Sequence, residues 1–144
     1  MLSNSCKYAI RAILYLAFSS SESNKIGSKL VAENIGVPAP FLAKIFQLLS
    51  KEKIIRSVKG PNGGFYLTEL ELSKNLLDVV KCIDGLDVFD HCFLGLPRCS
   101  DENPCTVHNL VAPWKRSLRA ELETKTIAEF AEDTKKGDSF IFLK

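Results

Sequence analysis

The sequence contains no uninterrupted apolar run longer than Ala12–Phe18, far short of the roughly 20 residues a membrane helix needs. No transmembrane reading survives. It also lacks a phosphate-cradling glycine loop, a nucleophile elbow and paired catalytic carboxylates. His91 and His108 are its two histidines, so acid–base pairs are scarce, and the chain is not read as an enzyme acting on a small-molecule substrate. No C-x2-4-C knuckle is present, which argues against an ordinary structural zinc site. Nor do five cysteines, an odd number, make a disulfide framework; they point to reduced thiols in the cytoplasm. The opening imitates a signal peptide (Lys7 and Arg11, then AILYLAF), but its apolar run is at the short end of a signal core and reads as a packed helix.

What remains is a chain of globular composition. Its 144 residues are 46% hydrophobic and 25% charged, which excludes a disordered or fibrous class, and that length buries a core without disulfides. The net charge of +2 hides a division. Residues 1–65 carry nine lysines and arginines against three glutamates, a net of +6, and residues 66–144 carry a net of −4. A basic half joined to an acidic half suits a polyanion-binding module attached to something else.

Helical periodicity organises the first half. Ile10, Ile13, Leu14, Ala17 and Phe18 predict a helix over about 3–20, followed by a polar loop at 19–25. Ser28 can cap a second helix that stops at Gly36, and Pro38 suits the first position of a third helix ending near Lys51. A strand at 54–58, the loop KGPNGG and a strand at 65–67 predict a hairpin with a flexible tip. Ser73 is expected to open a fourth helix through Ile83. Residues 87–104 have no period. A long helix is expected from Pro104 to about Lys125, kinked at Pro113, and Thr126 with Glu129 forms a capping box for a last one.

Helix, turn, helix and hairpin in this order predict a mainly α fold with a small β-hairpin wing, a winged helix-turn-helix. On the third helix, Phe41, Leu42, Ile45, Phe46, Leu48 and Leu49 are expected inside. Pro40, Ala43, Lys44, Gln47 and Lys51 make an outer stripe without carboxylates, fit to approach phosphates. Gln47 can pair with adenine, Lys44 with guanine or phosphate, and Ala43 can touch a thymine methyl. Lys59 stands at the hairpin tip with Arg56 nearby, a cation on a thin loop that suits a minor groove. Ser28 is counted with these residues as a contact to double-stranded DNA.

The second constellation is Cys92-x6-Cys99-x5-Cys105-x2-His108. Soft thiolates suit iron–sulfur clusters, zinc or copper(I), and gaps this wide suit a loop draped around a cluster. With Asn103 as cap and Pro104 as first residue, Cys105 and His108 would share the first turn of the long helix. A site of three thiolates and one imidazole is easier to oxidise or lose than one of four thiolates, which suits a sensor. Cys6 and Cys82 fall on apolar helical faces and read as small buried hydrophobes.

YAIRAILYLA, GVPAPFLAKIFQLLSKEKIIRSVKGPNGGFYL and the three-cysteine loop leading into CTVHNLVAPW resemble the Rrf-two family of bacterial winged-helix transcription regulators, over about residues 1–133. The cysteine spacing resembles its cluster-binding branch. The resemblance implies a homodimer joined by its long C-terminal helices and reading a palindromic operator, most often as a repressor. It implies an iron–sulfur cluster, 2Fe–2S ahead of 4Fe–4S, on Cys92, Cys99 and Cys105, with His108 matching the fourth ligand of one branch. Other branches take a carboxylate, or a glutamate and a histidine, from the first helix; Lys7 and Arg11 match neither. Lys59 matches a wing arginine, and Pro40, Ala43 and Lys44 match base-reading positions, although one branch has glutamate where Ala43 stands. The implied organisation is a DNA-binding domain at 1–84, a cluster loop at 85–104, dimerisation helices at 105–133 and a tail at 134–144. The competing readings are a metal or iron–sulfur protein with no regulatory role, and a thiol-redox regulator without a cluster.

Overall fold

Ser3 begins the first helix, its hydroxyl accepting from the Cys6 amide at 3.0 Å. The computed structural model describes residues 1–137, so most of the expected tail, 138–144, lies outside the described residues. In chain order the elements are α1 (Asn4–Ser19), α2 (Ser28–Ile35), α3 (Ala39–Lys51), β1 (Arg56–Val58), β2 (Gly64–Tyr66), α4 (Glu69–Leu72), α5 (Leu76–Ile83), a 3-10 turn (Leu86–Phe89), α6 (His108–Thr124) and α7 (Ile127–Lys135). The expected fold class is the one observed.

α1 is the central post. Cys6, Ala9, Ile13 and Leu16 recur at three- and four-residue steps, so one face of α1 is buried against α2, α3, α5 and α7. Val31 and Ile35 from α2, Leu42, Phe46 and Leu49 from α3, and Val79 and Val80 from α5 complete the core. Each such side chain contributes roughly 1.5–3 kcal/mol on burial. α7 closes the far side through Ile127 and Ala131, started by the Thr126–Glu129 capping box as expected.

The wing is antiparallel, with Arg56 opposite Tyr66, Ser57 opposite Phe65 and Val58 opposite Gly64. Ile26 adds a bridge to its inner edge, its N–H and C=O both bonded to Phe65 at 2.9 and 2.8 Å. This close approach explains Gly64: its φ is +147°, and a Cβ there would lie 2.9 Å from the Ile26 backbone. Phe65 also packs on Phe46 with ring centroids 4.6 Å apart, tying the wing to the third helix.

Several boundaries differ from the sequence expectation. Gly27, not Ser28, precedes α2 as its cap, because Ile26 is held extended by Phe65 and the helical turn starts immediately after. Pro38 is likewise the cap of α3, and Pro40 occupies the first turn, where a missing N–H costs nothing. Ile54 and Ile55 are buried but precede the strand: Lys53 turns the chain at φ +59°, and the Ile54 N–H donates to the Leu49 carbonyl at 2.9 Å. Ser73 opens no helix. Thr68 and Glu71 form a capping box that starts α4, Ser73 is the C-terminal cap of that helix, and Asn75 caps α5 by accepting from the Asp78 amide at 3.0 Å. α6 begins four residues later than Pro104 and continues through Pro113 to Thr124.

Candidate metal centre and nucleic-acid interface

The outer surface of α3 follows from its burial pattern. Leu42, Ile45, Phe46 and Leu49 take the inner stripe, leaving Pro40, Lys44, Gln47 and Lys51 exposed and Ala43 half-buried. Phe41 and Leu48 are corrections. They are 58% and 39% exposed, because the four inner residues fill the contact with α1 and α2 and the flanking positions are turned outward. The Phe41 ring therefore stands on the exposed side of α3 beside Lys44, a placement of Phe41 the sequence reading missed because it treated every apolar position of α3 as core. Lys44 and Lys51 are about 10 Å apart along the helix axis, enough to address separate phosphates.

At the wing, Lys59 through Asn62 are exposed. Arg56 is differently placed: its Nε donates to Glu71 Oε1 at 2.8 Å, and Glu71 is only 3% exposed. The guanidinium thus braces the wing against α4, and Lys59 is the cation carried to the tip. Ser28 is half-buried at the start of α2.

The loop before α6 gathers the sulfurs. The ligand atoms of Cys92, Cys99 and Cys105 lie within 4.8 Å of one another. Cys92 Sγ is 3.7 Å from Cys105 Sγ, well beyond a disulfide, and Cys99 Sγ is 3.2 Å from His108 Nδ1. The three thiols thus lie together, with the imidazole against one of them, and the local route differs from the expected one. Ser100 and Asn103 exchange backbone hydrogen bonds at 3.2 Å, and the Asn103 side chain donates to the Arg98 carbonyl, so Asn103 closes a loop turn instead of capping a helix. Cys105 sits outside α6 in a second turn, closed by the His108 N–H donating to its carbonyl at 3.0 Å. His108 is the first residue of the helix.

Electrostatics set Cys92 apart from Cys6, Cys82 and Cys99. The Leu96 backbone N–H, helped by that of Leu94 and by the neighbouring thiols, draws the Cys92 thiol down to about 7. For Cys99 the Cys105 N–H pulls the same way, but burial and the adjacent Cys105 and Cys92 thiols push it up overall. Cys6 is pushed up to about 12, chiefly by burial and then by Asp84, and burial also raises Cys82. The last two have the environment of packed hydrophobes.

The sulfurs face a cavity of about 520 Å³ between the loop and α6, with Lys115, Arg116 and Arg119 in its wall beside Asp90 and Asp101. Three soft thiol donors, a nearby imidazole and a wall with one more cation than carboxylate fit a thiolate-bound group.

Residues 2–133 match the Rrf2 family, described as an iron-dependent transcriptional regulator. The chain belongs to the Rrf2 family. A chain of Aquifex aeolicus (strain VF5), named as an HTH-type transcriptional regulator, is 30% identical over 131 residues, 90% of each chain. The HTH-type transcriptional regulator IscR of Klebsiella pneumoniae (strain 342) is 26% identical over 132 residues, 92% of this chain and 80% of its own. Among solved structures, T. potens IscR superposes with a TM-score of 0.70 at 21% identity, covering 97% of this chain and 92% of that one. CymR, the global cysteine regulator of B. subtilis, also gives 0.70, at 18% identity over 92% of this chain and 96% of that one. The fold is the winged helix of these regulators. The relatives regulate transcription and are not enzymes.

In this Rrf2 protein the structure adds three residues to the site that sequence reasoning missed. Lys115, only 9% exposed, donates to the His91 carbonyl beside Cys92. Asp101 Oδ1 lies 2.8 Å from His108 Nε2 and 3.5 Å from Arg116 Nη1; the His108 bond and the Arg116 charge hold its carboxyl below the ordinary aspartate range. Nothing in the aperiodic loop marks Asp101, and Lys115 and Arg116 resemble any solvated helix charge until α6 is placed over the cavity. Among the described residues no helix is long and apolar enough to cross a membrane.

Glu71 gives a stability test of the wing. Burial alone would raise its carboxyl, but the Thr68 hydroxyl, Arg56 and the Thr68 N–H together hold it below its ordinary value. Glu71→Ala is expected to cost about 2 kcal/mol at pH 7, since it removes a cap and a buried acceptor while Arg56 remains partly in water. Because the folded carboxyl titrates below the unfolded one, its contribution is complete above the ordinary glutamate value and is lost as pH falls through the lowered one. Denaturant midpoints of the two proteins should therefore converge in acid; a gap that stays constant to pH 2 would contradict this assignment.

Proposed function

We propose that this Rrf2 protein is a homodimeric, cytoplasmic DNA-binding regulator, acting as a repressor, whose grip on a palindromic operator depends on an iron–sulfur cluster held by Cys92, Cys99, Cys105 and His108. The observation that carries this is the gathering of three thiols, one of them against the imidazole that opens α6. The size of the cavity and the wide cysteine spacing favour a cluster, 2Fe–2S ahead of 4Fe–4S, over a single zinc ion. Such a cluster supplies one-electron chemistry and lability toward oxidants and nitric oxide. The chain's own residues do the rest. Lys115 ties the Cys92 end of the loop to α6, and His108 ties the other end. Loop and helix are thereby one mechanical unit, and the long helix sets the angle between the two wings of a pair. A coupling of 1–3 kcal/mol changes operator affinity by roughly five- to 150-fold.

On the DNA side, Pro40, Phe41, Ala43, Lys44 and Gln47 face the major groove, Ser28 and Lys51 take phosphates, and Lys59 enters the minor groove. Arg56 acts mainly through its bond to Glu71. Protein purified without oxygen is expected to carry iron and sulfide, absorb visible light and bind duplex in a salt-dependent way; the reading fails if neither iron nor sulfide is present. Lys59→Ala should lower the slope of log affinity against log salt by about 0.9 per wing, with similar losses on all sequences. An unchanged slope would remove Lys59 from the interface.

Cys92 and Cys105, 3.7 Å apart, support a second reading in which a disulfide forms between them and no cluster binds. Iron-free protein whose affinity follows the reversible loss of two hydrogens on oxidation would favour it.

A further inference from the structure

We propose that Asp101 is a positioning residue that makes Nδ1 of His108 the ligand atom, by holding the proton of the ring on Nε2. This deepens the cluster reading above and rests on it. Both ring nitrogens of His108 are engaged, on opposite sides: Nε2 is 2.8 Å from Asp101 Oδ1, and Nδ1 is 3.2 Å from Cys99 Sγ. An ionised carboxylate only accepts, so Nε2 must carry the hydrogen, and a neutral ring then presents its lone pair at Nδ1. That lone pair faces Cys99, one of the three gathered thiols. Without the carboxylate the ring can turn or exchange tautomers, and the fourth donor is lost for part of the time.

Asp101 is itself held. Arg116 Nη1 stands 3.5 Å from the same oxygen, two turns along α6 from His108. One loop carboxylate is therefore clamped between the first residue of α6 and a guanidinium further along it, which fixes the ring relative to the helix axis. A partner of this kind on a metal-bound histidine orients the ring and strengthens it as a donor, and its removal lowers metal affinity by about 10- to 100-fold. His108 is 15% exposed at its side chain and Asp101 75%, so the lower end of that range applies.

The test is a double-mutant cycle. Asp101→Ala, in an exposed loop, should speed iron loss to a chelator about tenfold and weaken the histidine nitrogen coupling in pulsed electron paramagnetic resonance of the reduced protein. In a His108→Ala background the same change should add nothing, because Asp101 acts only through that ring. Asp101→Asn, which keeps an acceptor oxygen, should fall between. Nitrogen NMR of the metal-free chain should find the Nε2-protonated tautomer in the wild type and a mixture in Asp101→Ala. An unchanged loss rate and coupling, or an equal acceleration without His108, would overturn the proposal, as would the Nδ1-protonated tautomer in the wild type. If the wild type takes up no iron and sulfide on anaerobic reconstitution, the cluster reading fails and the ligand role falls with it; the tautomer measurement then reports separately on whether Asp101 sets the ring.

Discussion

Cys99→Ala is expected to lose its iron and sulfide to background levels, and with them the dependence of operator affinity on exposure to air. The ligand atoms of Cys92, Cys99 and Cys105 lie within 4.8 Å of one another, and Cys99 is the thiol beside His108. Removing it takes away one of the three thiol donors and the one against His108, leaving Cys92 and Cys105. The wild type should show at least a fivefold difference in operator affinity between anaerobic and air-exposed protein, and the variant less than twofold. Stability is the control. Cys99 sits in the loop between the 3-10 turn and α6, outside the hydrophobic core, so the unfolding free energy of the metal-free chain should change by no more than about 0.5 kcal/mol. Iron and sulfide analysis, visible absorption and duplex titration check the first part, and denaturant unfolding the second. A variant that keeps the wild-type chromophore would remove Cys99 from the ligand set.

How much of this was legible beforehand depends on whether the deciding interaction is local. The inner face of α1 and the box at Thr126 are written at three- and four-residue spacing, and both could be read directly. The box at Thr68 and Glu71 obeys the same three-residue rule and is equally local. The late start of α6 is different in kind. Asn103 and Pro104 are good helix openers, but reciprocal Ser100–Asn103 bonds and the turn at Cys105 compete for the same backbone and win. Phe41 illustrates the limit of periodicity: hydrophobicity marked it as core, and only the packing of α3 against its neighbours decides which flank has room. The ligands themselves were legible because soft donors are rare, whereas Asp101 and Lys115 gain meaning from neighbours 7 and 24 residues away.

Trp114→Glu is expected to dissociate the proposed dimer and abolish tight operator binding while leaving the subunit folded. Ala112, Lys115 and Leu122 form the buried side of α6, so the opposite stripe is free of the chain's own core. That stripe carries Leu110 at 79% exposure and Trp114 at 53%, four residues apart and therefore neighbours on the helix. Two large apolar side chains kept in water on a helix mark an interaction surface, and a second copy of the same stripe is the self-complementary partner a two-fold axis would bring. A tryptophan at the centre of such a contact costs about 2 kcal/mol or more when lost, and the symmetry counts it twice. A loss of about 4 kcal/mol weakens association roughly a thousandfold. Sedimentation at micromolar concentration should then find monomers, and binding to a full palindrome should drop to that of a half-site. Thermal unfolding of the monomer should still be cooperative, since Trp114 packs against none of the core. A variant that sediments as the wild type does, with full affinity for the palindrome, would place the subunit contact elsewhere and leave Leu110 and Trp114 for another partner.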